Sequence, residues 1–198
     1  IQSPLADQLK EGVLRWAETC GVSIYEEETG RGLLRHIYVR TGKQGALLTL
    51  VVTSWKVPQP EKLIALCRES CPSLVGIVLN KNTRQTNRVL GEECRTLWGE
   101  GRLQDSLCGV EFSLSPLSFY QVNQPQAQRL YEQAVEYAAF SPEDTLLDLY
   151  CGTGTIGLVA ARRGAARVIG VDSVPSAIRD AANNARHNGV ENAEFVTQ

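Results

Sequence analysis

The sequence predicts an α/β protein in which the second half contains a nucleotide-binding βαβ unit and the first half forms a small α+β domain. Thr145–Leu149 is a short apolar run that fits a buried strand, and a glycine-rich turn follows it. The apolar, alanine-rich run 156–161 then predicts a helix, and a second apolar run, 168–171, ends in the acid Asp172. Strand, glycine turn, helix, strand and acid, in this order, are typical of a nucleotide-binding unit.

Composition narrows the class of protein. The chain has 198 residues, of which 43% are hydrophobic, enough for one large globular domain or two small ones. No apolar run approaches the ~18 residues of a membrane helix, and no secretion leader is recognisable, so we expect a cytoplasmic protein. The six cysteines lack paired metal-ligand spacing. Reduced, mostly buried thiols are therefore favoured over a disulfide framework, and no metal site is predicted.

Periodicity predicts the two domains. In residues 1–115 helices and antiparallel strands predict a central α+β domain, with helices from Pro4 and over 60–68 and strands over 36–40, 46–54, 74–79, 94–98, 103–107 and 110–114. Residues 116–198 predict the first part of a Rossmann-like domain, with further helices over 124–139 and 175–187 and a third strand over 193–196. A doubly wound sheet needs more strands, so the chain is expected to be an excerpt of a longer protein.

The glycine turn fits two kinds of cofactor. Gly152 and Gly154 let the backbone approach a ligand closely, and Asp172, about 20 residues on, suits the two hydroxyls of a ribose. Residues 152–157 match the dinucleotide fingerprint, which alone is a weak signal. Asp148, however, precedes the turn, where its carboxylate would repel a pyrophosphate but suit the ammonium or sulfonium group of S-adenosylmethionine. S-adenosylmethionine is therefore favoured over a nicotinamide or flavin dinucleotide.

Three segments carry a resemblance to a known family. They are Ser118-Phe-Tyr-Gln-Val-Asn123, Asp148-Leu-Tyr-Cys-Gly-Thr-Gly-Thr155, and Gly170-Val-Asp-Ser-Val-Pro-Ser-Ala-Ile178 with the trailing Asn183-Asn-Ala-Arg-His-Asn-Gly189. In these segments the chain resembles the RNA uracil-C5 methyltransferases, bacterial enzymes that make 5-methyluridine in ribosomal or transfer RNA. The first half resembles their central domain, most clearly over 32–40 and 86–91. The likeness covers nearly the whole chain and is strongest from 118 to 189.

The resemblance implies S-adenosyl-L-methionine as the cofactor and a uridine in RNA as the substrate, in 23S rRNA more than in tRNA. Gln121, Tyr150, Thr155 and Asp172 match cofactor-contacting positions of the family, and Asp148, Gly152 and Gly154 complete the predicted cofactor set. Asp172 stands where the family more usually has Glu, one methylene longer. Two plainer interpretations stay open: Tyr150 as a core residue and Gln121 as a strut between domains.

The RNA partner would contact the first half. The overall charge is −2, but all five lysines fall within residues 1–81, which favours this half as the contact for a polyanion. The candidates are basic side chains able to neutralise phosphates or stack on bases: Arg35, His36, Arg40, Lys81, Arg84 and Arg88. A solvated surface is the alternative for each of them, and His36 is equally explained as a structural residue of a strand. We expect a monomer.

No catalytic residue is predicted within this sequence. The resemblance implies a cysteine thiolate that adds to C6 of uracil and a carboxylate that removes the C5 proton, with the cysteine after an Asp-Pro-Pro motif that is absent here. Cys151 lies inside the cofactor turn without an activating His or Lys, and it is not predicted to be the nucleophile. This stretch alone is therefore expected to be inactive, and an iron–sulfur cluster of the parent protein would lie outside it. Another Rossmann-type methyltransferase of RNA or a small molecule, or a non-catalytic RNA-binding module, remain alternatives.

Overall fold

The computed structural model describes residues 3–198. The chain divides into two compact units: the first comprises Ile1–Leu103 with Ser115–Leu117, and the second comprises Gln104–Leu114 with Ser118–Gln198. Residues 104–114 thus group with the second unit, where side chains from a later helix bind their backbone. The domain boundary near residue 115 stays a prediction.

From residue 3 onward, the first unit contains two helices and a four-stranded sheet. Its elements are α1 (Pro4–Thr19), β1 (Leu34–Gly42), β2 (Gly45–Val52), α2 (Pro60–Ser70), β3 (Leu74–Lys81) and β4 (Glu93–Gly99). The strand order is β1-β2-β3-β4. The β1–β2 and β3–β4 pairs are antiparallel, whereas β2 and β3 are parallel. The prediction of antiparallel strands throughout was wrong for this central pair, because α2 crosses over and returns the chain in the same direction.

The core of the first unit lies where α1 and α2 pack against one another and on the sheet. Leu9, Val13 and Trp16 recur at helical spacing along α1 and are fully buried. The Trp16 indole Nε1 donates a hydrogen bond to the Pro58 carbonyl at 2.9 Å, which satisfies its polar atom. Strand β2 is buried along its whole length, as expected for a central strand.

The second unit combines a hairpin, a parallel sheet and three helices. Its elements are β5 (Leu103–Leu107, whose first residue groups with the first unit), β6 (Val110–Leu114), α3 (Gln124–Ala138), β7 (Thr145–Leu149), α4 (Thr155–Arg162), β8 (Arg167–Asp172), α5 (Pro175–His187) and β9 (Ala193–Thr197). Strands β7, β8 and β9 form a parallel sheet in that order, and β5 pairs with β6. The predicted order of strand, glycine turn, helix and strand is confirmed.

Only one face of the parallel sheet is covered by α4 and α5. Asp148 points to that face and is buried, whereas Leu147 and Leu149 point to the other and are 56% and 58% exposed. The prediction that β7 is a buried strand was therefore wrong for one of its faces. An apolar run predicts a strand buried on both faces, and within the described residues helices contact only one.

Helix α5 binds strand β6 and the segment that follows it through polar side chains at helical spacing. Asn188 Oδ1 accepts from the Glu111 N–H at 2.9 Å, and Asn184 Oδ1 accepts from the Ser113 N–H at 2.9 Å. One turn earlier, buried Asp180 accepts from the Ser118 hydroxyl at 3.0 Å. Residues 104–114 are thereby bonded into the second unit.

Within residues 3–198 no helix has the length and apolarity needed to cross a membrane. The same described residues contain no group of three or more His, Cys, Asp or Glu side chains placed to hold a metal ion. All six cysteines are free thiols.

Candidate functional site

The glycine turn and Asp172 meet at one edge of the parallel sheet. Leu149 lies opposite Val171 in the β7–β8 register, so the carboxyl ends of the two strands are neighbours. The Cys151 N–H donates to the Val171 carbonyl at 3.0 Å, and the Gly152 N–H donates to Asp172 Oδ2 at 3.0 Å. The edge where parallel α/β sheets bind ligands therefore carries the predicted turn and the predicted acid together.

Two glycines of the turn are required for different reasons. Gly154 has φ +77°, and a Cβ there would lie 2.9 Å from the Phe195 ring, so packing excludes any side chain. Gly152 has φ +55°, but a Cβ there would meet nothing within 4 Å. The space above Gly152 is therefore open and can admit a ligand close to the backbone.

Asp148 is a buried carboxylate near the end of β7, the strand that leads into this turn. It is 9% exposed, and its Oδ2 has no hydrogen-bond partner among the described residues. Burial raises the pKa of Asp148 from 3.8 to about 6; the nearby backbone N–H of Gly157 opposes this shift, and the charge of Asp172 adds to it. Two carboxylates near an open turn make this a site suited to a cation.

Asp172 organises the loop after β8 as well as the turn. Its Oδ1 accepts from the Val174 N–H at 2.8 Å, while Oδ2 accepts from Gly152. Each carboxylate oxygen has a second lone pair, so both can still accept from ribose hydroxyls. The Asp172 carboxylate thus fixes both the glycine turn and the loop that follows β8.

The remaining predicted cofactor residues surround the turn in different ways. Tyr150 has φ +62° and is 89% exposed, which rules out the core interpretation. Thr155 begins α4, and its Oγ1 lies 3.2 Å from the Tyr131 hydroxyl. Gln121 lies half-buried before α3, and its side chain makes no hydrogen bond with the residues that the structure describes.

Two supporting residues of this site were missed by the sequence analysis. Asn184 is 1% exposed, and its Nδ2 donates to the Thr153 carbonyl at 3.2 Å inside the glycine turn. Tyr131 of α3 holds Thr155 through its hydroxyl. An asparagine on the apolar face of a helix is the signal that could have identified Asn184, because a buried amide requires specific partners.

The cysteine thiols of the second unit are not activated. Burial raises the pKa of Cys151 to about 12, and the negative charges of Asp148 and Asp172 act in the same direction. The pKa of the Cys108 thiol is also raised, mainly by burial. Neither thiol has the depressed pKa of a nucleophile near neutral pH.

The six basic residues predicted for RNA contact differ in accessibility. The Arg35 side chain is buried: it pairs with Glu27 at 3.0 Å, donates to the carbonyls of Asn82 and Arg84, and stacks on Tyr25. The Arg35 guanidinium is therefore not available to contact RNA, and it holds the backbone at Asn82 and Arg84 in place.

Of the other five, Arg84 and Arg88 are the exposed members, on the loop between β3 and β4. Arg40 donates to the Pro116 carbonyl at 3.4 Å, and burial lowers its pKa. Lys81 lies 5.9 Å from the Trp55 ring centre, and the pKa of half-buried His36 is lowered, first by burial and then by Arg35.

Comparison with known proteins gives this Rossmann-like fold a class. A family model described as a methyltransferase domain matches residues 140–198. The fold also resembles the crystal structure of Pyrococcus abyssi tRNA (uracil-54, C5)-methyltransferase in complex with S-adenosyl-L-homocysteine, with a TM-score of 0.80 and 27% identity, covering 96% of this chain and 46% of that one.

Curated relatives are similar over nearly the whole of this chain. The chain is 37% identical, over 99% of its length, to an uncharacterized RNA methyltransferase of Caldanaerobacter subterraneus, of which it spans 44%. It is 41% identical, again over 99% of its length, to one of Clostridium tetani, of which it spans 43%. The chain thus spans less than half the length of these relatives, and the predicted resemblance to RNA methyltransferases is confirmed.

Proposed function

We propose that the protein is an S-adenosylmethionine-dependent RNA methyltransferase that modifies C5 of a uridine. The observation that carries this proposal is a pair of carboxylates at the carboxyl ends of β7 and β8. Asp172 accepts from the N–H of Gly152, where the turn is open, and buried Asp148 has one oxygen without a hydrogen-bond partner among the described residues. A cationic ligand fits such a site, whereas an anionic pyrophosphate does not. The similarity to a uracil-C5 tRNA methyltransferase that binds S-adenosyl-L-homocysteine supports the same assignment.

The residues of the turn fit the parts of this cofactor. Asp172 would accept hydrogen bonds from the ribose hydroxyls, and Asp148 would stabilise the positive charge. Tyr150, exposed beside them, would cover the bound molecule, while the free amide of Gln121 would bind its amino-acid end. S-adenosylmethionine, when bound, supplies the methyl group.

Gly152→Ala tests the open space above the turn, with Gly189→Ala as its matched control. Both glycines have left-handed φ values, +55° and +63°, and neither would bring a Cβ within 4 Å of another atom. Each variant should therefore lose about 1 kcal/mol of unfolding free energy. Only Gly152→Ala should lose affinity for S-adenosylhomocysteine, by roughly tenfold, or ~1.4 kcal/mol. Equal affinity of the two variants in calorimetry would show that no ligand approaches Gly152.

Methyl transfer requires groups that the described residues do not supply. C5 of uracil is a poor nucleophile until C6 has been attacked, and no thiol of the second unit has a lowered pKa. We therefore propose that these 198 residues hold the cofactor but do not complete the reaction alone.

The activity experiment uses labelled S-adenosylmethionine and bulk RNA from cells that lack the complete enzyme. The complete protein should label C5 of uridine, in 23S rRNA according to our proposal, whereas the 198-residue chain should give no label. Label in tRNA would reassign the substrate. Label at another atom would favour a different Rossmann-type methyltransferase, and RNA binding without any label would favour a binding module.

A further inference from the structure

The β3–β4 loop (residues 82–92) is held in one conformation by buried side chains beneath it. Asn80 is fully buried; its Nδ2 donates to the Gly91 and Glu93 carbonyls, and its Oδ1 accepts from the Gly91 N–H at 2.7 Å. Gly91 passes so close that a Cβ there would lie 2.0 Å from the Lys81 carbonyl oxygen. The end of the loop is therefore fixed to the strand that precedes it.

The middle of the loop is fixed in the same way. Asn82, 3% exposed, donates to the Arg88 and Val89 carbonyls at 2.8 and 3.2 Å and accepts from the Arg84 N–H at 3.1 Å. The buried guanidinium of Arg35 adds a bond of 2.8 Å to the Arg84 carbonyl. Satisfied buried networks of this kind make a loop rigid, and a rigid loop loses little entropy on binding.

This rigid loop presents two exposed arginines to a single carboxylate oxygen. Arg84 Nη1 lies 3.1 Å, and Arg88 Nη1 lies 4.0 Å, from Oε1 of Glu92. All three side chains are more than 60% exposed, so each ion pair contributes less than about 1 kcal/mol to stability. Another anion can therefore replace Glu92 at little cost. Two guanidinium groups that converge on one oxygen also match the geometry in which arginines bind a phosphate.

The three side chains line a groove of about 220 Å³. Its charged lining comprises three basic side chains, Lys81, Arg84 and Arg88, and two acidic ones, Glu92 and Glu93. Without the charge of Glu92, three positive side chains of the groove face one negative side chain, Glu93. A polyanion with regularly spaced phosphates is the ligand that gains most from such a groove.

We propose that the β3–β4 loop is a preformed phosphate-binding site for the RNA backbone, in which Glu92 holds the two arginines until a phosphate replaces it. This inference rests on the proposed RNA substrate and assigns part of its contact surface. Asn80, Asn82 and Arg35 act as positioning residues, and Arg84 and Arg88 contact the phosphate. Glu92 lowers the affinity, because the RNA must displace it.

The test measures binding of a fluorescently labelled single-stranded oligouridylate to the 198-residue chain over a series of salt concentrations. Glu92→Gln should bind about 3–10 times more tightly than the wild type. Arg84→Ala should bind about 3–10 times more weakly, with the slope of log K against log salt reduced by about 0.7. Circular dichroism confirms that each variant is folded.

Glu69→Gln is the matched control. Glu69 also pairs with an arginine, Arg15, at 3.4 Å on the surface of the same unit, but it does not line the groove. Its substitution changes the net charge equally and should leave the affinity within about twofold of the wild type.

Several results would overturn the proposal. Equal gains for Glu92→Gln and Glu69→Gln would indicate only a net-charge effect. Weaker binding by Glu92→Gln would show that Glu92 is needed in the bound state. Salt-dependent binding by the wild type that neither Glu92→Gln nor Arg84→Ala alters would leave RNA as the partner but move the contact elsewhere. Binding of a labelled oligoglutamate but not of oligouridylate would identify an acidic protein as the partner. Methyl transfer to RNA by the complete protein, assayed separately, tests the proposed function whichever result is found.

Discussion

Asp148→Asn is expected to stabilise the ligand-free protein at neutral pH and at the same time to weaken its binding of S-adenosylmethionine. Burial raises the pKa of Asp148 to about 6, so above that pH the fold holds an ionised carboxylate in an unfavourable place. Asparagine removes the charge, which should raise the unfolding free energy by about 1–2 kcal/mol after allowance for solvent screening. The loss of a charged acceptor should weaken the binding of S-adenosylmethionine by about 1.5–3 kcal/mol.

The pH dependence has a definite sign. Because the folded pKa of Asp148 lies above its ordinary value of 3.8, the folded state binds the proton more tightly than the unfolded state. The stabilisation from this group is therefore complete below about pH 4 and is lost as the pH rises through 6. Cofactor affinity should change in the opposite direction and increase over the same range, because the ionised form binds the cation.

Thermal denaturation and calorimetry at pH 5 and pH 7.5 check both effects, with Glu143→Gln as a control that neutralises an exposed acid of the same unit. Asp148→Asn should remove most of the pH dependence of binding, and Glu143→Gln should remove none. A variant that is less stable and binds equally well would contradict the assignment of Asp148 as the cation-stabilising group.

Asp172→Ala should weaken cofactor binding by about 1–3 kcal/mol, the range for leaving two ribose hydroxyls without a charged acceptor. The variant also frees the Gly152 and Val174 N–H groups, which now donate to Asp172 at 3.0 and 2.8 Å. Part of the loss will therefore come from a looser turn.

Asp172→Glu separates the two contributions. The longer side chain keeps the carboxylate that the ribose needs but shifts it relative to the Gly152 N–H. We expect it to bind S-adenosylhomocysteine within about threefold of the wild type. If Asp172→Ala binds S-adenosylhomocysteine as tightly as the wild type, the proposed contact between Asp172 and the ribose is wrong.

The nucleotide-binding unit was predictable because each of its elements has a local cause. An apolar run ends at Leu149, glycines follow where φ is positive, and Asp172 closes the next strand. These features depend on neighbours in sequence, so the unit and the meeting of the turn with Asp172 were both expected. The parallel pairing of β2 with β3 was not, because no local signal distinguishes a crossover helix from one that merely precedes an antiparallel strand.

The accessibility of charged residues could not be predicted from the sequence. Arg35 and Arg84 are equally basic in the sequence, yet the structure buries the first with Glu27 and exposes the second. The role of Asn184 depends on contacts with β6 and with the glycine turn, which lie far away in the chain. Tertiary packing decides such roles, and a single sequence does not record it.

Titration calorimetry of the 198-residue chain with S-adenosylhomocysteine and, separately, with NAD tests the central claim most directly. We predict saturable binding of S-adenosylhomocysteine that Asp172→Ala weakens, and no measurable binding of NAD, because Asp148 and Asp172 repel a pyrophosphate at the turn. Tight binding of NAD without binding of S-adenosylhomocysteine would contradict it.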